Sequence, residues 1–476
     1  MTTIETLEER QSGISSEELP ASFRDAFYIV QRLGIEYLWI DSLCIIQDSS
    51  DDWAEHSARM ADIYGNSFLT IAASCSPNSH AGILSSRDTL QTGSSVPFKS
   101  QYMREEGKIY FRPQIKAYVP GAESDQAYVN ETAVFVEPLL TRAWVLQERI
   151  LSPRTVNYAT AELFWECQTL TAHESMISFL ERTPAAEMKR SLVPRKSPDN
   201  FAVEVQDPTK LSSVYTRWYL LLEAYTRLQL TYETDKFPAI SGLAKEFERQ
   251  TGDEYVAGIW KGDFHRGLLW RPAGIDYGPL RDKFVRRRPQ QWRAPSWSWA
   301  SWDGPIDPSF ASYMRRVPYD RDAHFMHIPL TSTGMSTMDR LRDGVVQVRG
   351  FCATVTLGYK GIAAFNLEFM GTPLNQFGNC AILDQGSDPD PTPQFLDHSA
   401  PESGQTFECL QIGLWNNHES SEFYRSEDDT LYCILLSKDQ GRSSYHRMGL
   451  VYLRSYECRI TTDTTINWEL KEIMIE

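Results

Sequence analysis

Residues 37–74 read YLWIDSLCIIQDSSDDWAEHSARMADIYGNSFLTIAAS, and this stretch decides the fold class. With the two residues before it, its opening forms a nearly continuous apolar run, Ile35-Glu36-Tyr37-Leu38-Trp39-Ile40. The run is too short for a helix and reads as a strand over 35–41 buried on both faces of a parallel sheet. It stops abruptly at Asp41-Ser42. A helix is expected from Ser50-Asp51-Asp52 to about Tyr64, with Trp53, Met60 and Tyr64 on one side and Glu55, Arg59 and Asp62 on another. Phe68 to Ala73 (FLTIAA) is a second apolar strand. Upstream, Phe23, Ala26, Phe27, Val30 and Leu33 repeat at helical spacing. Ser22 is the expected N-cap, Asp25 its capping-box partner and Gly34 the stop. Helix, strand, helix, strand in this order is α/β organisation with right-handed crossovers.

Working outward, residues 75–138 break the rhythm with frequent Ser, Gly and Pro, and only short β-like pieces such as Lys108-Ile109-Tyr110-Phe111 occur. This is read as an insertion in the α/β unit. Leu140 to Leu151 resumes as a helix closed by Ser152-Pro153. Thr155-Val156-Asn157-Tyr158 and Leu163-Phe164-Trp165 follow as strands. A polar segment near 182–210 leads to a helix from Leu211 to about Gln229, apolar on most sides, and to a further helix over Phe237 to Phe247. From about 290 the pattern turns to β, with VVQVRGF (345–351), CLQIGLW (409–415), LYCILLS (431–437) and MGLVYLR (448–454). Between them GSDPDPTP (386–393) is a loop too rich in Pro and Asp to pack. The expected domains are an α/β unit over 1–180, a linker and helical region over 181–289, and a β-rich region over 290–476.

A chain of 476 residues holds about three compact units by length. Hydrophobic residues make up 42% and charged residues 23%, a globular composition that excludes wholesale disorder. The net charge of −16 argues against general affinity for a nucleic-acid backbone, which requires clustered cations. The run Arg286-Arg287-Arg288 is read as a solvated loop. Eight scattered cysteines form no CxxC pair and read as reduced thiols in a cytoplasmic protein. No apolar leader opens the chain and no stretch approaches ~18 consecutive apolar residues, so neither a signal peptide nor a membrane span is expected.

Several residues are candidates for chemistry. Asp41 and Ser42 stand at the carboxyl end of the expected strand, the edge where open α/β sheets bind ligands; equally, Asp41 caps the following turn. Glu55 is better explained as a capping-box carboxylate after Asp52, paired with Arg59. Trp144 and Glu148 lie four residues apart on the 140–151 helix, so indole and carboxylate share one face. That pairing suits a ligand that stacks and develops positive charge. It also suits an amphipathic helix whose Trp packs while Glu148 is solvated or paired with an Arg. Cys44 with His56 or His173 is a weak nucleophile–base idea, because LCII is an apolar setting for an inert buried thiol. His324 and His327 have no partners arranged as a metal site, so no metal is expected. Trp297, Trp299 and Trp302 in APSWSWASWDG place two indoles on one face of a strand, and packing at a domain junction explains them better than base or sugar stacking. The common phosphate-loop, hydrolase and zincin signatures are absent.

The blocks at 37–74 and TRAWVLQERILSPRTVNYATAELFWEC (141–167) resemble two blocks of the fungal heterokaryon-incompatibility (HET) domain, with further similarity through LTYETDKFPAISGLA (230–244) and APSWSWASWDG (294–304). The resemblance implies a role in non-self recognition and programmed cell death in fungal cells. HET domains are similar, distantly, to TIR domains, which implies a TIR-like, flavodoxin-like open parallel sheet. Trp144 and Glu148 match the TIR pattern Trp-x-x-x-Glu, whose Glu is needed to hydrolyse NAD. The resemblance therefore implies Glu148 as catalytic residue, with Trp144, Asp41 and Ser42 lining the substrate pocket. NAD is then a substrate, and no cofactor is implied. The expected partners are a non-self recognition protein and further copies of the chain, with neither nucleic acid nor membrane. The family's opening block, roughly Y-x-x-L-S-Y-C-W-G, is not found before Leu7, so the α/β unit is expected to lack its first strand. That departure favours the alternative of a catalytically inactive recognition or scaffold protein.

Overall fold

The computed structural model describes residues 1–84, 94–99, 106–111, 116–118, 134–160, 162–174, 189, 208–273, 287–308, 315–317, 323–328, 330–332, 341–359, 365–369, 372–373, 380–383, 406–416, 430–438, 441–454 and 468–476. It divides into two compact units, residues 1–198 with 228–230, and residues 199–227 with 231–476.

The first unit is α/β. Its helices are α1 (Leu7–Ser12), α2 (Ala21–Arg32), α3 (Asp41–Cys44), α4 (Ser50–Gly65) and α5 (Ala143–Leu151). Its main sheet is β1 (Thr70–Ala72), β2 (Arg154–Tyr158), β3 (Leu163–Cys167) and β4 (Thr171–His173), in that spatial order. Only β1 and β2 are parallel, in the register Thr70↔Thr155 to Ala72↔Asn157; β3 and β4 add antiparallel. The sheet is thus mixed rather than the open parallel one expected. A parallel neighbour needs a crossover, whereas β2, β3 and β4 are joined by connections short enough for hairpins.

The segment 35–40 departs from expectation. It forms no strand, and Glu36 and Tyr37 are exposed. Apolar content makes a segment able to be buried, but a strand exists only where a neighbour shares its ladder. The other early elements hold, with different caps. α2 starts behind Pro20 with no side-chain cap, and the expected capping-box carboxylate Asp25 instead accepts the backbone N–H groups of Ile83 (2.7 Å) and Leu84 (3.1 Å). Gly34 ends α2 at φ +67°, a conformation that favours glycine. The N-cap of α4 is Ser49, whose Oγ accepts the Asp52 N–H, so Asp52 rather than Glu55 holds the N3 place. Glu55 is exposed and lies 3.6 Å from Arg59.

α5 lies between β1 and β2 in the chain and is fixed at both ends. At its start, the Ala143 N–H donates to the Gln229 carbonyl (2.9 Å), and Gln229 N–H to the Thr141 carbonyl (2.7 Å). At its end, Ser152 Oγ donates to the Glu148 carbonyl and shares a 2.6 Å bond with Thr70 Oγ1 on β1. Val145 packs with Leu140, Ala159 and Phe164 in an apolar cluster under the helix. In the inserted region, Glu106–Phe111 pairs antiparallel with Ser94–Lys99, so the β-like piece at 108–111 is a strand.

The second unit opens on helices α6 (Pro208–Thr226), α7 (Pro238–Thr251) and α8 (Phe264–Gly267). α6 buries Val214, Trp218, Leu221, Leu222 and Tyr225, as its all-round apolar pattern predicts. Trp297, Trp299 and Trp302 are fully buried in turns and a short 3-10 helix, not on a strand. Their role is packing. Trp218, Phe247, Tyr255 and Trp260 form a further set of edge-on and tilted ring contacts.

Among the described residues the expected C-terminal β region is a barrel-like sheet. β5 (Val346–Tyr359), β6 (Thr406–Asn416), β7 (Thr430–Lys438), β8 (Ser444–Arg454) and β9 (Glu469–Ile475) carry the four predicted runs and the end of the chain. β5 pairs with β6, β6 with β7, β7 with β8, β8 with β9, and β9 returns to β5, so the five strands close on themselves like a barrel. Arg288 is not solvated as expected: it donates to Ser301 Oγ (3.1 Å) and the Arg447 carbonyl (2.9 Å), while Arg287 pairs with Glu233 and Arg286 lies outside the described residues. The loop 386–393 and most of the polar segment 182–210 also lie outside them.

Candidate functional site

The helix α5 sets two charged side chains back to back. Arg149 turns inward and forms a two-pronged ion pair with Glu166 on β3, both residues being buried. Asn157 on β2 donates to the same carboxylate (3.5 Å), and the Lys189 ammonium lies on Thr155 (3.1 Å). Burial alone would raise the Glu166 carboxyl, but the charges of Arg149 and then Lys189 outweigh it and hold the group below its ordinary value. This network fastens α5 to the sheet.

Glu148 faces the other way, toward α4. Its carboxyl stands near the phenol of Tyr64, in the last turn of α4. Asp41, the first residue of α3, adds a second negative charge nearby, and Arg142, just before α5, a positive one. Withdrawal from water, followed by the charge of Asp41, pushes the Glu148 carboxyl up to about 7, against the opposing pull of Tyr64 and Arg142. The Tyr64 phenol is itself raised well above its ordinary value, by burial first and then by Glu148 and Asp41. It therefore stays an O–H donor at physiological pH.

Two aromatic pairs accompany the carboxyl. Trp144, one turn before Glu148, meets Trp53 of α4 edge to face with ring centroids 6.1 Å apart. Trp39 meets Tyr64 in the same manner at 5.7 Å. Both Trp144 and Glu148 are half-buried, so the group is neither sealed in the core nor on an open surface.

Local sequence explains how Asp41 reaches this place. The turn Asp41–Cys44 is pinned on one side by Thr2, whose N–H donates to the Ser42 carbonyl (2.8 Å) and whose hydroxyl donates to Leu43 (2.7 Å). On the other side Asp52 of α4 accepts the Ile46 N–H (2.7 Å). Asp41 Oδ1 accepts the Ser42 N–H (2.7 Å), so the residue is a turn former and a charge at the site together.

Of the residues singled out from the sequence, Trp144, Glu148 and Asp41 are brought together, and Ser42 adjoins them through its backbone. Cys44 is exposed rather than buried, contrary to expectation: it sits in α3, a single turn that buries none of its residues. His56 faces Asp52 at 3.8 Å and His173 bonds Glu162 at 3.1 Å, so no nucleophile–base pair forms with Cys44. Tyr64, Trp39, Trp53 and Arg142 belong to the site and were not singled out. Trp53 and Tyr64 carried a signal: they are eleven residues apart, three helical turns, and so share one side of α4. Among the described residues no group of three or more His, Cys, Asp or Glu side chains is placed to hold a metal, and no helix is long and apolar enough to cross a membrane.

Residues 2–148 match the family model described as Heterokaryon incompatibility protein (HET). The chain carries a HET domain. The matched span holds every residue of the site, from Trp39 to Glu148. No curated protein and no solved structure gives a significant match to the chain.

Proposed function

We propose that this chain acts in fungal heterokaryon incompatibility as a cell-death effector, and that its HET domain hydrolyses NAD at the nicotinamide–ribose bond. One observation carries the catalytic part. A half-buried carboxyl with a value of about 7 stands near a phenol and a second carboxylate, with indole rings close by. Perturbed carboxyls of this kind are poised for proton transfer and charge stabilisation at neutral pH.

In the reaction, the bond between the ribose C1′ and the pyridinium nitrogen breaks, and its electron pair leaves with nicotinamide. The transition state resembles an oxocarbenium ion, as in glycoside hydrolysis. Ionised Glu148 stabilises that positive charge, with Asp41 adding to the negative potential. Water then bonds to C1′, yielding ADP-ribose and a proton that Glu148 accepts. Trp144 supplies an aromatic face for a flat ring. The TIR-like character of the domain is part of the same proposal. It is supported by the Trp144–Glu148 spacing and by the parallel β1–β2 pair with α5 in its crossover.

A second reading, recognition through protein contacts without catalysis, is favoured by a separate feature of the same domain. Tyr28, Leu33 and Tyr37 are 56%, 52% and 86% exposed along the end of α2 and the run after it. Exposed apolar side chains grouped along a short stretch mark contact surfaces.

Nicotinamide release from NAD by the full chain, beside Glu148→Gln at matched and high protein concentration, separates the two. Release abolished by the substitution supports the enzyme. No release from folded, concentrated protein overturns it in favour of recognition.

A further inference from the structure

We propose that residues 228–230 are a coupling strap, through which the second unit governs the start of the helix that carries Trp144 and Glu148. The consequence for turnover rests on the NAD reading above, whereas the coupling itself is read without NAD.

The chain leaves the second unit after Arg227, gives Leu228, Gln229 and Leu230 to the first, and returns to the second at Thr231. Three residues are too few to bury a layer of their own, so their contacts define their role. Gln229 forms a parallel bridge with Arg142, and both of its bonds are main-chain. The Ala143 N–H donates to the Gln229 carbonyl at 2.9 Å, and the Gln229 N–H to the Thr141 carbonyl at 2.7 Å. The Gln229 side chain is exposed and takes no part in the bridge.

The helix α5 needs such a partner. The first N–H groups of a helix have no acceptor within it and are commonly met by a capping side chain. The N-cap of α5 is Arg142, which supplies no side-chain bond. Ala143, the first helical residue, is 1% exposed, so its N–H is withdrawn from water and the Gln229 carbonyl stands in for the cap. Trp144 is the next residue and Glu148 lies one turn beyond it, so the strap holds the end of the helix on which the site is built.

The roots of the strap are fastened in the second unit. The Tyr225 hydroxyl donates to the Lys236 carbonyl at 2.6 Å and closes the loop at its base, both residues being buried. On the entering side, Thr226 Oγ1 accepts the Ile306 N–H at 3.1 Å. On the returning side, Arg293 donates to the Glu233 carbonyl (3.1 Å) and the Lys236 ammonium to the Trp302 carbonyl (2.7 Å). A rearrangement of the second unit that moves these roots draws on the tip, and loss of the tip leaves the Ala143 N–H unpaired and frays α5 from its start.

The test is amide hydrogen exchange of the full-length chain, followed at Ala143 and Trp144 by mass spectrometry. Gln229→Pro removes the N–H given to Thr141 and is expected to raise exchange there about fivefold, the effect of losing a helix cap. Gln229→Ala keeps both main-chain bonds and is expected to leave it at the native value. Tyr225→Phe removes the bond at the base of the loop and is expected to raise exchange at α5 about twofold or more, although Tyr225 belongs to the second unit. Tyr219→Phe is the control: it removes a bond of the same kind from the same helix, to Asp263 at 2.8 Å, outside both roots, and is expected to change nothing at α5. Native exchange in Gln229→Pro overturns the capping role. Native exchange in Tyr225→Phe, or an equal rise in Tyr219→Phe, overturns the coupling. Nicotinamide release is expected to fall about fivefold in Gln229→Pro, and undiminished release despite raised exchange overturns the consequence for the site. Absence of release from every form, with the exchange pattern intact, overturns the NAD reading and leaves the strap established.

Discussion

Glu148 and Arg149 are neighbours in the chain, yet α5 delivers their charges to opposite sides. Arg149 is locked to Glu166 under the helix, while Glu148 meets Tyr64 of α4 on the other face. The two contacts do different work. The ion pair holds α5 against the sheet, and that anchorage lets the adjacent position carry a carboxyl in surroundings unfavourable to its charge.

The cost of that carboxyl is measurable. Glu148 rises from its ordinary value near 4.5 to about 7 in the folded chain. A raised value means that the folded state holds its proton more tightly. The contribution to stability is full below about 4.5, where both states are protonated, and is lost as pH rises through 7. Glu148→Gln removes this decline. The variant is expected to be more stable than the native chain at pH 8 by about 1–3 kcal/mol after solvent screening, and no more stable at pH 4. Denaturation midpoints of the two proteins across this range check it.

The buried ion pair has the opposite sign. Glu166 is held below its ordinary value because Arg149 and Lys189 outweigh its burial. Its contribution is present above the ordinary carboxylate range and is lost as pH falls through the lower folded value. Glu166→Gln leaves Arg149 buried beside a neutral partner. It is expected to cost about 3–5 kcal/mol at pH 7, more than the exposed pair Glu55–Arg59 by a wide margin. Replacing both partners, Arg149→Met with Glu166→Leu, is expected to recover most of the loss. Chemical denaturation of the single and double variants measures both.

Much of this was legible in the chain, and the limits have physical causes. Helices α4 and α5, the strand at 70–72 and the closing β region follow from periodicity, because each packs one side or both against a neighbour. The run 35–40 has the same apolar content, yet it forms no strand, since side-chain pattern reports what a segment can bury and not what pairs with its backbone. The site divides likewise. Trp144 and Glu148 are readable as one face of one helix. Tyr64 lies 84 positions away, and that it faces Glu148 follows only from how α4 packs on α5, which no spacing within either helix encodes.

The packing of α4 on α5 is open to a direct test through Trp53 and Trp144. Their rings meet edge to face at 6.1 Å and 90°, an arrangement that contributes about 0.5–1.5 kcal/mol beyond area burial. A double-mutant cycle of Trp53→Leu and Trp144→Leu is expected to show a coupling energy in this range. Trp53→Leu is also expected to weaken nicotinamide release, because it loosens the helix that carries Tyr64. A coupling near zero would mean that the two helices are held apart from this contact.

In the second unit, the sharpest expectation concerns Gly258. Its φ of +95° lies where side chains are disfavoured, and a Cβ there would stand 2.5 Å from Trp299 Nε1. The closeness has a cause: that indole nitrogen donates to the Gly258 carbonyl at 2.7 Å, its bond inside the core. Trp299 is fully buried, edge-on to Tyr225 and Phe237, and cannot retreat without opening their contacts. Gly258→Ala therefore combines backbone strain, overlap and a lost buried hydrogen bond, and is expected to cost about 3 kcal/mol or more. Trp299→Phe is expected to restore space for the alanine while leaving the Gly258 carbonyl unpaired, so the double variant recovers part of the loss. Thermal unfolding of the three variants reads the order, and a Gly258→Ala chain as stable as the native one would refute the assigned contact.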